Sequence, residues 1–279
     1  MKKTRNKPFV IKASGRSEPF SKFKLARSLK RAGAGPKTAE RIVVQVAGNL
    51  QGGEKTRDIH RLALGLLEKQ GDPVAARYNL KEALAELGPT GYPFETFLAH
   101  MFKSLGYSAQ TRQVLAGRCV THEVDVVGRR GNDHIIVEAK FHNSAGFKTD
   151  VKVALYVKAR FDDILAGPAR KPHLHKAWLV TNTKFTTQAI KYAECAGLKL
   201  LGWNYPINNS LQKIVESAGL VPLTALTGLS HSQKRQLLAD NIVLCRDLVR
   251  KPRLLAKLRL NPQEKAFVEK ELQQVWQKK

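Results

Sequence analysis

Asp125, Glu138 and Lys140 are the residues of this sequence whose types and spacing are best suited to chemistry. They lie in THEVDVV and HIIVEAKF, two apolar-rich runs joined by the turn-forming stretch GRRGND. Each run reads as a β-strand, and the short turn makes the two strands neighbours. On the second strand the side-chain period of two puts Glu138 and Lys140 on one face and Ala139 on the other, and Asp125 meets them from the adjacent strand. Two carboxylates with the Ala139 carbonyl between them make a hard oxygen cage suited to Mg²⁺, and an ammonium beside it can orient and polarise an attacking water. The spacing alone is a weak sign in a chain that is 25% charged, where a solvated hairpin edge is the competing reading. The flanks decide between them. Val124, Val126, Val127, Ile135, Ile136 and Val137 surround the two acids, and charge among such neighbours is costly unless paired or bound to a metal.

The rest of the chain must position that set. At 279 residues and 43% hydrophobic content it can build two or three domains with real cores. No stretch of about 18 apolar residues exists and the beginning, MKKTRNKPFVIK, lacks an apolar leader, so a soluble cytoplasmic protein with no membrane partner is expected. Lys and Arg number 48 against 23 Asp and Glu, a formal charge of +25 spread along the whole chain. A charge of that size calls for a polyanion, and double-stranded DNA is the expected partner. Cys119, Cys195 and Cys245 are far apart with no CxxC spacing, which argues against disulfides and a zinc site, and they read as reduced core thiols.

Glycine and proline punctuation at GPTGYP and NYPINNS divides the chain into 1–88, 89–206 and 207–279. The first segment begins with a strand-like FVIKASGRSEPF, turning at SG, and continues with helical patterning in SKFKLARSLKRAG, TAERIVVQVAGNL and TRDIHRLALGLLEKQ and a last helix from about Pro73 to Leu87. Val10, Lys12, Gly15, Pro19, Phe20, Lys24 and Leu25, then Ala75, Arg77 and Tyr78, make this segment resemble the ATP-cone, a nucleotide-sensing module. The resemblance implies an allosteric adenine nucleotide, ATP or dATP, held by Lys12, Gly15, Arg16, Phe20 and Lys24. Lysines beside a glycine turn agree with that, offering phosphate both charge and backbone N–H groups. The chain departs from the family in reading Ala13, Ser14 and Gly15 where Arg-Asp-Gly is usual, and in keeping part of the usual ending of the last helix. GAGPKT at 33–38 is a poor phosphate loop, because proline precedes its lysine and no strand leads in.

The second segment is patterned as helix (93–105), strands (111–116, 120–127, 134–141), helix (150–165), strand (176–182), helix (186–196) and strand (198–203). The chain as a whole is thus expected to be α/β (α+β). That αβββαβαβ order, with GYPFETFLAHMFKSLGY, VTHEVDVV, VEAK and WLVTNTKFTTQAIKYAECAGLKLLGW, resembles the Mrr-like branch of the PD-(D/E)xK restriction endonucleases. The resemblance implies that Asp125, Glu138 and the carbonyl of Ala139 bind the metal, that Lys140 serves the water, and that Glu95 is an extra acid near the centre. Glu138 stands where many Mrr relatives carry glutamine, and His122, Glu123 and Val124 replace the pattern that usually precedes the aspartate. By alternation Glu123 shares a face with Asp125 and can join the cage, whereas His122 reads as a core or hinge histidine.

On the DNA side, His142, Asn143, Lys148, Lys152, Tyr156 and Arg160 are candidates, with Lys148, Lys152 and Tyr156 expected on one helix face. Thr181, Asn182 and Thr183 end an apolar run where open sheets meet ligands, while Thr186 reads as a helix cap. The third segment is helical by pattern. Its Thr227–Leu229 turn resembles a helix-hairpin-helix, implying phosphate contact at Gly228, with an oligomerisation domain as the competing reading. Taken together, the expectation is an Mg²⁺-dependent endodeoxyribonuclease of restriction type, regulated by nucleotide at the cone. The alternative is a nucleotide-sensing DNA-binding regulator or repair protein that does not cut. Cutting both strands of a duplex needs two centres, so a homo-oligomer is expected.

Overall fold

The computed structural model describes residues 8–12, 15–69, 74–144, 146–168 and 175–276. Ser14 of the expected SG turn, the expected helix start at Pro73 and the basic ending at 277–279 lie outside the described residues. The chain folds into two compact units, Met1–Leu80 and Lys81–Lys279.

In the first unit β1 (Phe9–Ile11) and β2 (Ser17–Pro19) form the expected antiparallel hairpin. Helices α1 (Lys22–Arg31) and α2 (Pro36–Asn49) follow, then β3 (Glu54–Lys55), α3 (Thr56–Glu68) and α4 (Val74–Tyr78). The two-residue β3 lies parallel to β1, giving the sheet order β2-β1-β3, and is too short to leave a sequence signal. Ser21 caps α1, accepting the N–H of Lys24 at 3.2 Å, and Pro36 opens α2 where its missing N–H costs nothing. Ala39, Ile42, Val43 and Val46 of α2 recur at helical spacing and bury against Leu25, Leu29, Ala63 and Leu67. The single helix expected from about 73 to 87 is instead two, α4 and α5 (Leu80–Ala85).

The second unit is built on α6 (Tyr92–Ser104), β4 (Ser108–Ala116), β5 (Thr121–Arg130), β6 (Asp133–Lys140), β7 (Lys148–Thr149), α7 (Val151–Ala166), β8 (His175–Thr181), β9 (Lys184–Phe185), α8 (Thr187–Ala196) and β10 (Lys199–Leu201). The αβββαβαβ order is present, with β7 and β9 added as a small parallel pair. The main sheet runs β10-β8-β6-β5-β4, antiparallel from β4 to β6 and parallel from β6 to β10. Asp150 and Thr186 cap α7 and α8, and Gly197 ends α8 in the left-handed conformation. Ala154, Val157, Phe161 and Ile164 of α7 and Ala189 and Ala193 of α8 bury one face of the sheet with Ile136, Ala177 and Leu179. Trp178, which alternation turns to the other face, meets Phe102 of α6 edge-on at 5.9 Å.

Helices α9 (Leu211–Ser217), α10 (His231–Ala239), α11 (Cys245–Arg250), α12 (Arg253–Ala256) and α13 (Pro262–Trp276) complete the unit, with a 3-10 turn at Leu223–Ala225. No helix among the described residues is long and apolar enough to cross a membrane. Of the three cysteines expected in the core, only Cys245 is buried; Cys119 and Cys195 are exposed on a turn and on a helix surface.

Candidate active site

The site lies where β5 and β6 part. Their ladder ends at Val126↔Val137. Opposite Asp125, between the pairs Thr111↔Val126 and Gln113↔Val124, Arg112 stands at φ 52. Val124 and Val127 both pack into the α7/α8 core, three positions apart, so the period of two breaks between them. Asp125 sits in that break, and its Oδ2 accepts the N–H of Ala139 at 2.6 Å. Because a strand residue's N–H and C=O point to the same side, the Ala139 carbonyl lies on the Asp125 side of β6. The structure thus joins Asp125 to Ala139, the residue between Glu138 and Lys140, through a local distortion rather than through regular alternation.

Glu95, from the first turn of α6, is 8% exposed and its Oε2 is buried with no hydrogen-bond partner. Burial, then repulsion from Asp125, pushes its carboxyl up to about 7, against the pull of Arg112. Burial and the same Asp125 push Glu138 up to about 7, although Arg160 counters this. Asp125 is raised as well, mainly by burial, with the Ala139 amide opposing. All three acids are thus raised first by burial, and one of them has an orphaned oxygen, so a nearby cation would favour their charged forms. Their donor set is all oxygen, which fits a hard divalent cation. Among the described residues, however, no three His, Cys, Asp or Glu side chains already stand close enough to hold a metal ion.

Arg160 already occupies one of these acids. Its Nη1 donates to Glu138 Oε2 at 2.6 Å and its Nη2 to the carbonyl of Glu123, and its guanidinium lies over the Tyr156 ring at 5.3 Å. The sequence placed Arg160 on the DNA side; it is instead the counter-charge of a predicted metal ligand. Its flanking positions Val157, Phe161 and Ile164 are core, which was the available signal that position 160 borders the sheet. Glu123 is exposed, and its charge raises both Glu95 and Asp125. His122 is structural as expected: it pairs with Asp163 of α7 at 2.7 Å, and that carboxyl also takes the N–H groups of Cys119 and Val120. Lys140 is exposed at the end of β6.

Three other expectations need correction. Lys148 is not on the helix face with Lys152 and Tyr156, because α7 begins at Val151 and Lys148 pairs with Lys184 in β7. Lys152 and Tyr156 are exposed on α7. Thr181, Asn182 and Thr183 do not face a ligand, being 0%, 3% and 2% exposed. Asn182 brackets the backbone of His142, accepting its N–H at 2.9 Å and donating to its carbonyl at 2.7 Å. Gly228 cannot grip phosphate, because Glu271 already accepts its N–H at 2.9 Å and the N–H of Thr227 at 2.9 Å. A Cβ there would come within 2.6 Å of Phe267, so this glycine serves the packing of α13.

In the first unit, the five cone residues gather on the hairpin and the start of α1. Gly15, at φ 78, donates its N–H to the Lys12 carbonyl at 2.9 Å; Phe20 is half-buried against the core and Arg16 is exposed. Lys12 and Lys24 both pair with Glu18, at 2.9 and 3.0 Å, and these ammoniums hold its carboxyl below the usual range. The sequence reading had missed this acid.

Comparison with known families assigns the chain's parts: residues 8–81 match the ATP cone domain, 88–203 a restriction endonuclease catalytic domain, and 222–276 the C-terminal domain of AF1548-like proteins. The class is therefore a restriction-endonuclease-type domain fused to an ATP cone. An uncharacterized protein of Archaeoglobus fulgidus is 37% identical over 152 residues, 54% of this chain and 83% of its own length. The crystal structure of AF1548, a protein of unknown function, is 31% identical with a TM-score of 0.56, covering 67% of this chain and 98% of that one. The chain belongs to this AF1548-like family. The restriction endonuclease MspJI with a 27-mer oligonucleotide also aligns, at 14% identity and a TM-score of 0.36 over 74% of this chain and 44% of that one; so low a score carries no weight.

Proposed function

We propose that this protein is a divalent-metal-dependent endodeoxyribonuclease, with Mg²⁺ as its cation, whose cutting is regulated by ATP or dATP. The observation that carries the reading is the set of buried or half-buried acids at the β5/β6 break: Asp125 bonded to the Ala139 amide between Glu138 and Lys140, and Glu95 with an unpartnered buried oxygen. Asp125, Glu138 and the Ala139 carbonyl would hold the cation, with Glu95 as the further acid. Such a cation supplies positive charge against that developing on the scissile phosphate. Lys140 orients the attacking water and stabilises the same charge from its ammonium. Lys148, Lys152 and the general charge of +25 hold the DNA backbone. In this reading residues 1–88 bind nucleotide through Lys12, Gly15, Arg16, Phe20 and Lys24, residues 89–206 cut, and 207–279 serve assembly into the oligomer that duplex cleavage requires.

A plasmid-nicking assay with Mg²⁺ tests the proposal. The wild-type chain is expected to convert supercoiled to nicked and linear DNA, and Lys140→Ala to lose that conversion by a factor of about a hundred or more. Equal products from both, across methylated and unmethylated plasmids, would remove the enzyme reading. One observation favours the alternative of a regulator that binds without cutting: Arg160 already neutralises Glu138. In that case tight DNA binding without any metal-dependent product is expected.

A further inference from the structure

Beside the acid set lies a groove of about 470 Å³ lined by Ala139, Lys140, Phe141, His142, Asn143 and Phe147, among others. Its size falls in the range of about 300–1,000 Å³ typical of small-molecule sites. Two features make it more than a gap between loops. The His142 and Phe147 rings stack with planes 5° apart and centroids 5.8 Å apart, yet Phe147 remains 62% exposed. The lower ring is fixed: Asn182 brackets the His142 backbone with two hydrogen bonds, and His142 Nε2 meets the buried Thr149 Oγ1 at 3.2 Å. An exposed aromatic ring on a hydrogen-bonded support can take a further flat ring against it. Ammoniums stand at both ends of the segment, Lys140 in the groove and Lys148 directly after Phe147, and Asn143 and Ser144 add polar edges.

Resting on the reading of the acid set as a nuclease centre, we propose that Phe147 and His142 form a stacking platform for an unpaired nucleobase adjoining the scissile phosphate. The occupant is a DNA base from a frayed, flapped or single-stranded segment, its phosphates met by Lys140 and Lys148. Base–aromatic stacking is tolerant of sequence because every base presents a π face, so the platform selects for an accessible base rather than for a base identity. The preferred substrate is then DNA with unpaired nucleotides at the cut site, and fully paired duplex is the poorer one.

The test needs no turnover, which separates it from the nicking assay. Fluorescence anisotropy in EDTA compares a blunt duplex, the same duplex with a single-stranded tail, and the single strand alone, with 2-aminopurine in the tail. The wild-type chain is expected to bind the tailed and single-stranded probes more tightly than the blunt one and to quench the 2-aminopurine. Phe147→Ala is expected to lose about five- to hundredfold in affinity on those probes alone, and Phe147→Trp to restore it. Because Phe147 is exposed, unchanged circular dichroism of the variants is expected and confirms that they fold. Equal affinities for blunt and tailed DNA, or an equal loss on both with Phe147→Ala, overturn the platform. Positive binding results with a failed nicking assay would instead keep the platform and remove the catalytic reading.

Discussion

At the scale of single residues, burial raises the carboxyls of Glu95, Asp125 and Glu138, and two substitutions read that burial in opposite ways. Glu95 has its carboxyl raised to about 7 in the fold from an ordinary 4.5, so the folded state binds the extra proton between those values. Stability must therefore fall as pH rises through that window, because the native state holds more protons than the unfolded one. Glu95→Gln keeps the shape and removes the penalty. In EDTA it is expected to stabilise the protein by on the order of 2 kcal/mol at pH 8 and by nothing at pH 4.5. The difference from wild type is the quantity to measure by thermal melting, since His100 and His142, lowered mainly by burial, titrate in part of the same window with the opposite sign. Parallel melting curves at the two pH values would show that Glu95 is not held in its neutral form. Arg160 makes the complementary case. It is the cation that Glu138 already has, so Arg160→Met at pH 8 is expected to lower stability by about 1–2 kcal/mol, allowing for the part-exposure of the pair, and to tighten Mn²⁺ binding in calorimetry. Unchanged metal affinity would mean that Arg160 and the metal do not compete for Glu138.

At the scale of elements, the positioning of the site depends on contacts that no periodicity announces. Asn182 follows β8 directly, forty residues beyond His142, and ties the end of β6 to the end of β8. Asn182→Ala is expected to cost on the order of 2–3 kcal/mol, because it leaves two polar groups of the His142 backbone without partners. The check is urea unfolding together with hydrogen exchange at the His142 amide, which should speed up well beyond the global change. An unchanged amide would show that the bracket is not what orders this loop. The long elements were legible because each carries its own local signal: helical spacing in α2, a proline opening and an apolar surface in α6, a threonine cap and a terminal glycine on α8. The two-residue strands β3, β7 and β9 were not, since their pairing is fixed by tertiary contact rather than by their own residues. The same division runs through the site. The two neighbouring strands that carry Asp125, Glu138 and Lys140 were readable from their apolar runs and the turn between them. The break that seats Asp125 was invisible, because it is expressed in the φ of Arg112 on a third strand. The Gly228 turn misled for a related reason: its own sequence suits an anion, and the anion it meets is Glu271, forty-three residues on.

At the scale of the whole molecule, a nucleotide module and a nuclease-type domain on one chain make regulation a question of coupled affinities. Binding of nucleotide to the cone can influence DNA only through a difference in its affinity for two states of the protein. If ATP or dATP changes the DNA dissociation constant by some factor, DNA must change the nucleotide dissociation constant by the same factor. The charge of +25 would complicate any such measurement, since the proposed DNA affinity would fall steeply with salt whether or not the cone is coupled. Salt dependence and coupling separate cleanly when the titrations are run at several salt concentrations in EDTA: the DNA affinity itself should fall by orders of magnitude between about 50 and 200 mM salt, while the ratio with and without nucleotide should stay nearly constant. Lys12→Ala is expected to abolish the ratio without altering DNA affinity in the absence of nucleotide, because Lys12 would meet the phosphates of the nucleotide rather than those of DNA. A ratio of one at every salt concentration, with calorimetry still detecting nucleotide, would mean that the cone binds its ligand without informing the rest of the chain. No heat from ATP or dATP would remove the nucleotide proposal itself.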